Sequence, residues 1–144
     1  MILTSSSFKD GEQIDVKYSC NGEGIMPSLS WCSYPDETES FAIIFEDPDA
    51  SIGTFVHWVV INIPDSINFV EEGTESIQKS KALENSSGKT AYIPPCPATG
   101  IHRYIFKIYA LSIDKLNNIN IDNFYDKIKP YIIDSTTLMS KYGK

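Results

Sequence analysis

Three stretches of the chain have the length and patterning of β-strands. Ser40 to Asp47, "SFAIIFED", places Phe41, Ile43, Phe45 and Asp47 on one face, because successive strand side chains alternate sides. Phe55 to Ile63, "FVHWVVINI", is β-branched and aromatic, ends at Pro64, and puts Phe55, His57, Val59, Ile61 and Ile63 together. His102 to Leu111, "HRYIFKIYAL", divides into His102, Tyr104, Phe106, Ile108 and Ala110 on one side and Arg103, Ile105, Lys107, Tyr109 and Leu111 on the other. Weaker strand signals fall at Gln13 to Tyr18, Leu29 to Trp31 and Thr137 to Tyr142. Dense turn signals separate these runs: "NGEGIMP", "YPDET", "DPDASIG", "NSSGK" and "IPPCPATG". One helix is predicted over Asp122 to Lys129, with Asp122 as its cap, Phe124 and Ile128 four apart, and Pro130 stopping it. Asp65 to Lys89 is polar and reads as a long surface loop. The pattern as a whole predicts a sheet-rich sandwich.

Composition narrows this to one domain, residues 1–144, with 42% hydrophobic residues and 22% charged. A net charge of −7, with no clustered Lys/Arg, excludes a nucleic-acid footprint. No apolar run is long enough to cross a bilayer, and the N-terminus has no signal-peptide pattern. Three cysteines without C-x-x-C spacing argue against a disulfide framework or zinc site and for a reducing, cytoplasmic location. The Asn85-Ser86-Ser87 sequon is taken as chance.

Candidate chemistry gathers at the strand ends. His102 and Tyr104 point the same way, while Arg103, the sole arginine, points to the other side. Asp47 continues an apolar face, so it points inward and needs a partner, which a histidine supplies. His57 opens the face of the second strand. Taken singly, each histidine reads more naturally as a core-edge residue with a satisfied ring; the nearby "DPDA" turn changes that balance. Two histidines, a tyrosine hydroxyl and one or two aspartates would make a polar pocket in an apolar sheet. Protonated imidazole and Tyr O–H are donors suited to an oxyanion.

The ordered motifs "DPDA", "HWVVINIP" and "PCPATGIHRYIFKIYAL" resemble those of the phosphatidylethanolamine-binding protein family, which includes the Raf kinase inhibitor protein. The likeness is to its short prokaryotic-type members and runs over nearly the whole chain. It implies a mainly β fold of two antiparallel sheets packed face to face, with one or two short peripheral helices and a small anion pocket at one end of the large sheet. The matching pocket positions are Asp47, Asp49, His57, Pro95, His102 and Tyr104, with Gly100 letting the chain pass near the rim. Arg103 is structural by the same resemblance, pairing with a carboxylate on the outer face. Ser51, Phe55 and Ile93-Pro94 depart from the family pattern and bear on specificity.

The resulting expectation is a binding protein for a phosphate or phospholipid headgroup, regulating a kinase or protease target through its pocket face. It has no catalytic residue, no metal ligand and no cofactor. A homodimer is implied by the prokaryotic-type likeness. The competing reading is a hydrolase using Asp/His acid–base or metal chemistry on a phosphorylated substrate. Cys96 would be its one candidate thiol, although a structural role for that cysteine is the simpler reading.

Overall fold

The computed structural model describes residues 1–144. Its strands are β1 (Ile2–Thr4), β2 (Leu29–Cys32), β3 (Ser40–Asp47), β4 (Phe55–Pro64), β5 (Phe69–Val70), β6 (Lys81–Ala82), β7 (Ile101–Leu111) and β8 (Ile132–Gly143), with one helix, α1 (Phe124–Ile128). They form a three-stranded sheet, β1-β2-β5, and a five-stranded sheet, β6-β4-β3-β7-β8. Every strand pair is antiparallel. The large sheet is covered on both faces. One face meets the small sheet through Leu3, Trp31, Phe41, Phe45, Trp58 and Phe106. The other packs Ala42, Ile44, Val59 and Leu111 under Phe124 and Ile128 of α1. This double cover explains why β3 is buried at all eight positions and reads as an apolar run.

β7 follows the predicted alternation, with Tyr104, Phe106, Ile108 and Ala110 buried on the inter-sheet side. β4 does not. Phe45 pairs with Trp58 and Glu46 with Val56, so His57 is the extra residue of a bulge. A second bulge lies at Asn62, whose φ is 58°. The side chains therefore change phase: Trp58, Val60 and Ile63 join the inter-sheet core, while Val59 and Ile61 face α1. The expected common face of His57, Val59, Ile61 and Ile63 is thus broken, because the alternation rule holds only within an uninterrupted ladder.

Other boundaries move for local reasons. Gln13 to Tyr18 is not a strand: a single bridge joins Gln13 to Lys141, and a 3-10 turn covers Val16–Tyr18. The Asp15 carboxylate accepts the Lys17 N–H (2.9 Å), favouring a turn over a ladder. Asp122 does not cap α1. Its N–H and that of Asn123 bind the Asn120 side chain (2.9 and 3.0 Å), and the helix begins at Phe124. The expected loop Asp65 to Lys89 contains the two-residue strands β5 and β6.

The cysteine expectation fails. Cys20 and Cys96 are joined by a disulfide across 76 residues of sequence, their Cα atoms 5.4 Å apart, and only Cys32 is free. The sequence spacing gave no hint because the two residues meet through the tertiary fold. No helix is long and apolar enough to cross a membrane.

Candidate functional site

The ends of β3, β4 and β7 converge on a cavity of about 360 Å³, closed on its far side by the segment Ile93–Thr99. Asp47, Asp49, His57, His102 and Tyr104 all line it. Pro95 and Gly100 do not. Pro95 is buried behind the wall, where its carbonyl accepts the Cys20 N–H (3.0 Å). Gly100, with φ 73°, lies exposed and lines a neighbouring cavity of about 780 Å³ with Tyr142 and Gly143. A side chain at Gly100 would meet nothing within 4 Å, so its glycine serves the left-handed backbone. The close approach is made by Gly143 instead, where a Cβ would lie 2.0 Å from the Gly100 carbonyl oxygen.

Asp47 is the organising carboxylate. It is 4% exposed, and Oδ2 lies 2.7 Å from His102 Nδ1 while Oδ1 accepts the Asp49 N–H (2.7 Å). The first bond fixes the His102 ring and leaves Nε2 as its second nitrogen; the second closes the DPDA turn. Tyr104, 1% exposed, lies beside His102 with ring centroids 6.3 Å apart. Burial, and then the Asp47 charge, pushes the Tyr104 phenol well above its ordinary value, so it remains an O–H donor.

His57 differs from the expectation of a second cationic imidazole. Its Nδ1 donates to the Ile93 carbonyl (2.7 Å) and not to a carboxylate. Burial pushes its pKa below the usual histidine value, against the opposing pull of the Ile93 carbonyl and the Asp47 charge. The bulge explains this: it sets His57 against the wall, with its ring 4.8 Å from Phe55 and 5.4 Å from Tyr104. Burial thus disfavours charge on His57, and the imidazole of the site that is paired with a carboxylate is His102.

Arg103 turns to the outer side, as the alternation predicts, and pairs with a carboxylate there. That carboxylate is Asp49, which lines the cavity yet spends its oxygens on Arg103. Its oxygens take Arg103 Nε (2.9 Å), a terminal guanidinium nitrogen (2.8 Å) and the Arg103 main-chain N–H (2.9 Å). These bonds hold the Asp49 carboxyl down at about 2. Asp49 thus clamps the turn to β7 and steadies no imidazole.

Sequence reasoning missed Asn85. It is 3% exposed, so it is no glycosylation site. Its Nδ2 donates to the His57 carbonyl (3.2 Å) and the Ala91 carbonyl (2.8 Å), and its Oδ1 accepts from the Ser87 and Lys89 N–H groups. It thereby ties the β4 bulge to the approach of the wall. The only sequence signal was "NSSG" between two apolar runs. Cys96, the candidate thiol, is held in the disulfide and supplies no nucleophile.

A sandwich of a small and a large antiparallel sheet, with a His–Asp–Tyr pocket at one end of the large sheet, defines a ligand-binding class of protein. The family model for "Phosphatidylethanolamine-binding protein" matches residues 4–143, and the chain belongs to that family. Among solved structures, it is similar to a phosphatidylethanolamine-binding protein homologue of Chlamydia trachomatis. That match has a TM-score of 0.91 at 36% identity, covering 99% of this chain and 96% of the other. It is also similar to Escherichia coli YbcL, described as a member of the mammalian family, with TM-score 0.90 at 28% identity over 99% and 97% of the two chains. A "UPF0098 protein" of Chlamydia pneumoniae is 38% identical over 100% of this chain and 99% of its own.

Proposed function

We propose that the pocket binds a small oxyanion of phosphate or phospholipid-headgroup type. The observation that carries this reading is the His102–Asp47 pair beside the Tyr104 phenol, in a cavity the size of a small ligand. His102 Nε2 and the Tyr104 hydroxyl supply donors, and Asp47 holds the imidazole in place through its Nδ1. His57, against Phe55 and with burial disfavouring its charged form, shapes the pocket. No observation favours the alternative of a hydrolase with Asp/His acid–base or metal chemistry, and Cys96, its one candidate thiol, is committed to the disulfide.

The same face is the proposed contact for a protein target of kinase or protease type. Ile52, 90% exposed on the turn beside the cavity, offers apolar contact there. This part rests on family analogy, and a homodimer belongs to the same reading. The disulfide fits an oxidising compartment better than the cytoplasm, which cell fractionation would decide.

Titration calorimetry with inorganic phosphate, sulfate and phosphoethanolamine tests the ligand. Binding is expected to weaken as pH rises through the histidine range, and sulfate, whose charge is constant there, isolates the protein's contribution. His102→Ala is expected to abolish binding in a folded protein. Absence of heat with all three anions at pH 5.5 would sink the reading. Binding of phosphoethanolamine alone would select the headgroup over free phosphate.

A further inference from the structure

We propose that the Cys20–Cys96 disulfide is a redox latch on the pocket: reduction by a dithiol frees the wall at Cys96–Gly100 and weakens the ligand site. This builds on the anion reading above. Both cysteines are exposed, so an attacking thiolate can reach the bond, and Cys96 itself lines the cavity.

The wall is held very unevenly. Up to Pro95 it is anchored by ordinary bonds. The Ile93 N–H donates to the His57 carbonyl (3.1 Å), His57 Nδ1 returns to the Ile93 carbonyl, and the Pro95 carbonyl takes the Cys20 N–H. From Cys96 to Gly100 no main-chain to main-chain hydrogen bond joins the segment to the body before β7 begins at Ile101. Prolines at 94, 95 and 97 have no N–H to offer a ladder. Apart from the Cys96 main chain, which meets the Tyr104 phenol, the disulfide is therefore the tie on this part of the wall.

The other end of that tie is firm. Cys20 follows the Val16–Tyr18 turn, which is closed by the Ser19 N–H to the Val16 carbonyl (3.0 Å). The turn is joined to the core by the Tyr92 hydroxyl, which donates to the Tyr18 carbonyl (3.1 Å). The wall itself separates two spaces: Pro97, Ala98 and Thr99 line both the 360 Å³ pocket and the neighbouring 780 Å³ cavity. Loosening it removes one side of the pocket while the Asp47–His102 pair stays in place on β3 and β7.

The chemistry balances with a dithiol as reductant. Its thiolate attacks one sulfur, the Sγ–Sγ bond breaks, and the second thiolate completes the exchange. Two electrons and two protons pass to Cys20 and Cys96, leaving two thiols here and a disulfide on the reductant. If the closed wall is then populated about one-fifth of the time, apparent affinity falls about fivefold, in proportion to the competent fraction.

The test compares the full chain, oxidised and reduced with dithiothreitol, by phosphate calorimetry and by amide hydrogen exchange. Cys20→Ser/Cys96→Ser serves as the permanently open form. Reduction is expected to weaken phosphate about fivefold and to speed exchange of the Cys20 amide, whose bond to the Pro95 carbonyl borders the freed segment, with β7 protected and the double variant unresponsive to dithiothreitol. Unchanged affinity and unchanged exchange at Cys20 would overturn the latch, as would three free thiols in protein purified without reductant. Loss of protection throughout the chain would also overturn it, marking a global staple. If oxidised protein binds no phosphate yet the wall loosens on reduction, the latch stands and the anion reading fails.

Discussion

Glu46 and Asp47 are neighbours at the end of β3, both carboxylates, 5% and 4% exposed, and they point to opposite faces of the same sheet. Glu46 meets the Lys107 ammonium at 2.5 Å and accepts the Tyr125 hydroxyl at 2.8 Å; Lys107 also donates to that hydroxyl (3.2 Å). The result is a closed triangle under α1, sealed by permanent charge. Asp47 meets a histidine whose other nitrogen remains beside an open cavity. Burial of a carboxylate is common to the two sides. What separates a structural lock from a candidate site is the partner: the Lys107 ammonium is used up inside the triangle, while His102 keeps a second ring nitrogen beside the cavity.

The sharpest break of that comparison is Lys107→Met, which keeps the packed stem and leaves the Glu46 charge with only a hydroxyl. Removing one member of a buried ion pair costs on the order of 3 kcal/mol. Urea unfolding should show a loss of that size, with phosphate affinity unchanged. Glu46→Gln added to it should recover much of the loss, because the stranded charge is then gone. If the single variant is as stable as the parent, the lock is not one.

The mirror experiment is Asp47→Asn. The single amide oxygen can replace only one of the two acceptors that meet His102 and the Asp49 N–H, so stability should fall by about 1 kcal/mol, the usual worth of one hydrogen bond. The negative charge that favours a protonated imidazole is lost, and phosphate affinity at pH 7 should fall about tenfold, or ~1.4 kcal/mol. A variant that binds phosphate normally would remove Asp47 from the site. Tyr104→Phe comes next, deleting one donor for a three- to tenfold loss by calorimetry, the usual worth of about one hydrogen bond. An unchanged Kd would place the phenol in the wall only.

The two sides were not equally legible in the sequence. The fold class, three of the four long strands and the inward set Asp47, His102 and Tyr104 follow from the strand pattern, whose alternation is local and survives in β3 and β7; the longest strand, β8, showed only a weak signal over Thr137 to Tyr142. The opposing triangle was not visible, since Tyr125 reaches Glu46 only through the docking of α1, 79 residues away. His57 lines the cavity, but its ring bonds a carbonyl where a carboxylate was expected. A bulge is not readable in "FVHWVVINI", and it is the bulge that gives His57 a carbonyl partner in place of a carboxylate. The disulfide was missed for the same reason as the triangle: the contact exists only in three dimensions.

The smallest effect concerns a third carboxylate, Asp49, which is neither locked inside nor open to the cavity's chemistry. Its hydrogen bonds from the Arg103 guanidinium, and then from the Arg103 main-chain N–H, hold it down at about 2. A depressed carboxylate stabilises the fold above the unfolded value, about 3.9, and that contribution is lost as pH falls from there through about 2. Because the pair is exposed, little stability at pH 7 depends on it. Carboxyl carbon NMR should show Asp49 titrating near 2, and Arg103→Gln should return it towards the ordinary range while phosphate affinity and neutral-pH Tm barely move. A large loss of phosphate binding in that variant would mean that the outer clamp sets the pocket after all. The contrast between the two faces would then have to be drawn at the DPDA turn and not at β3.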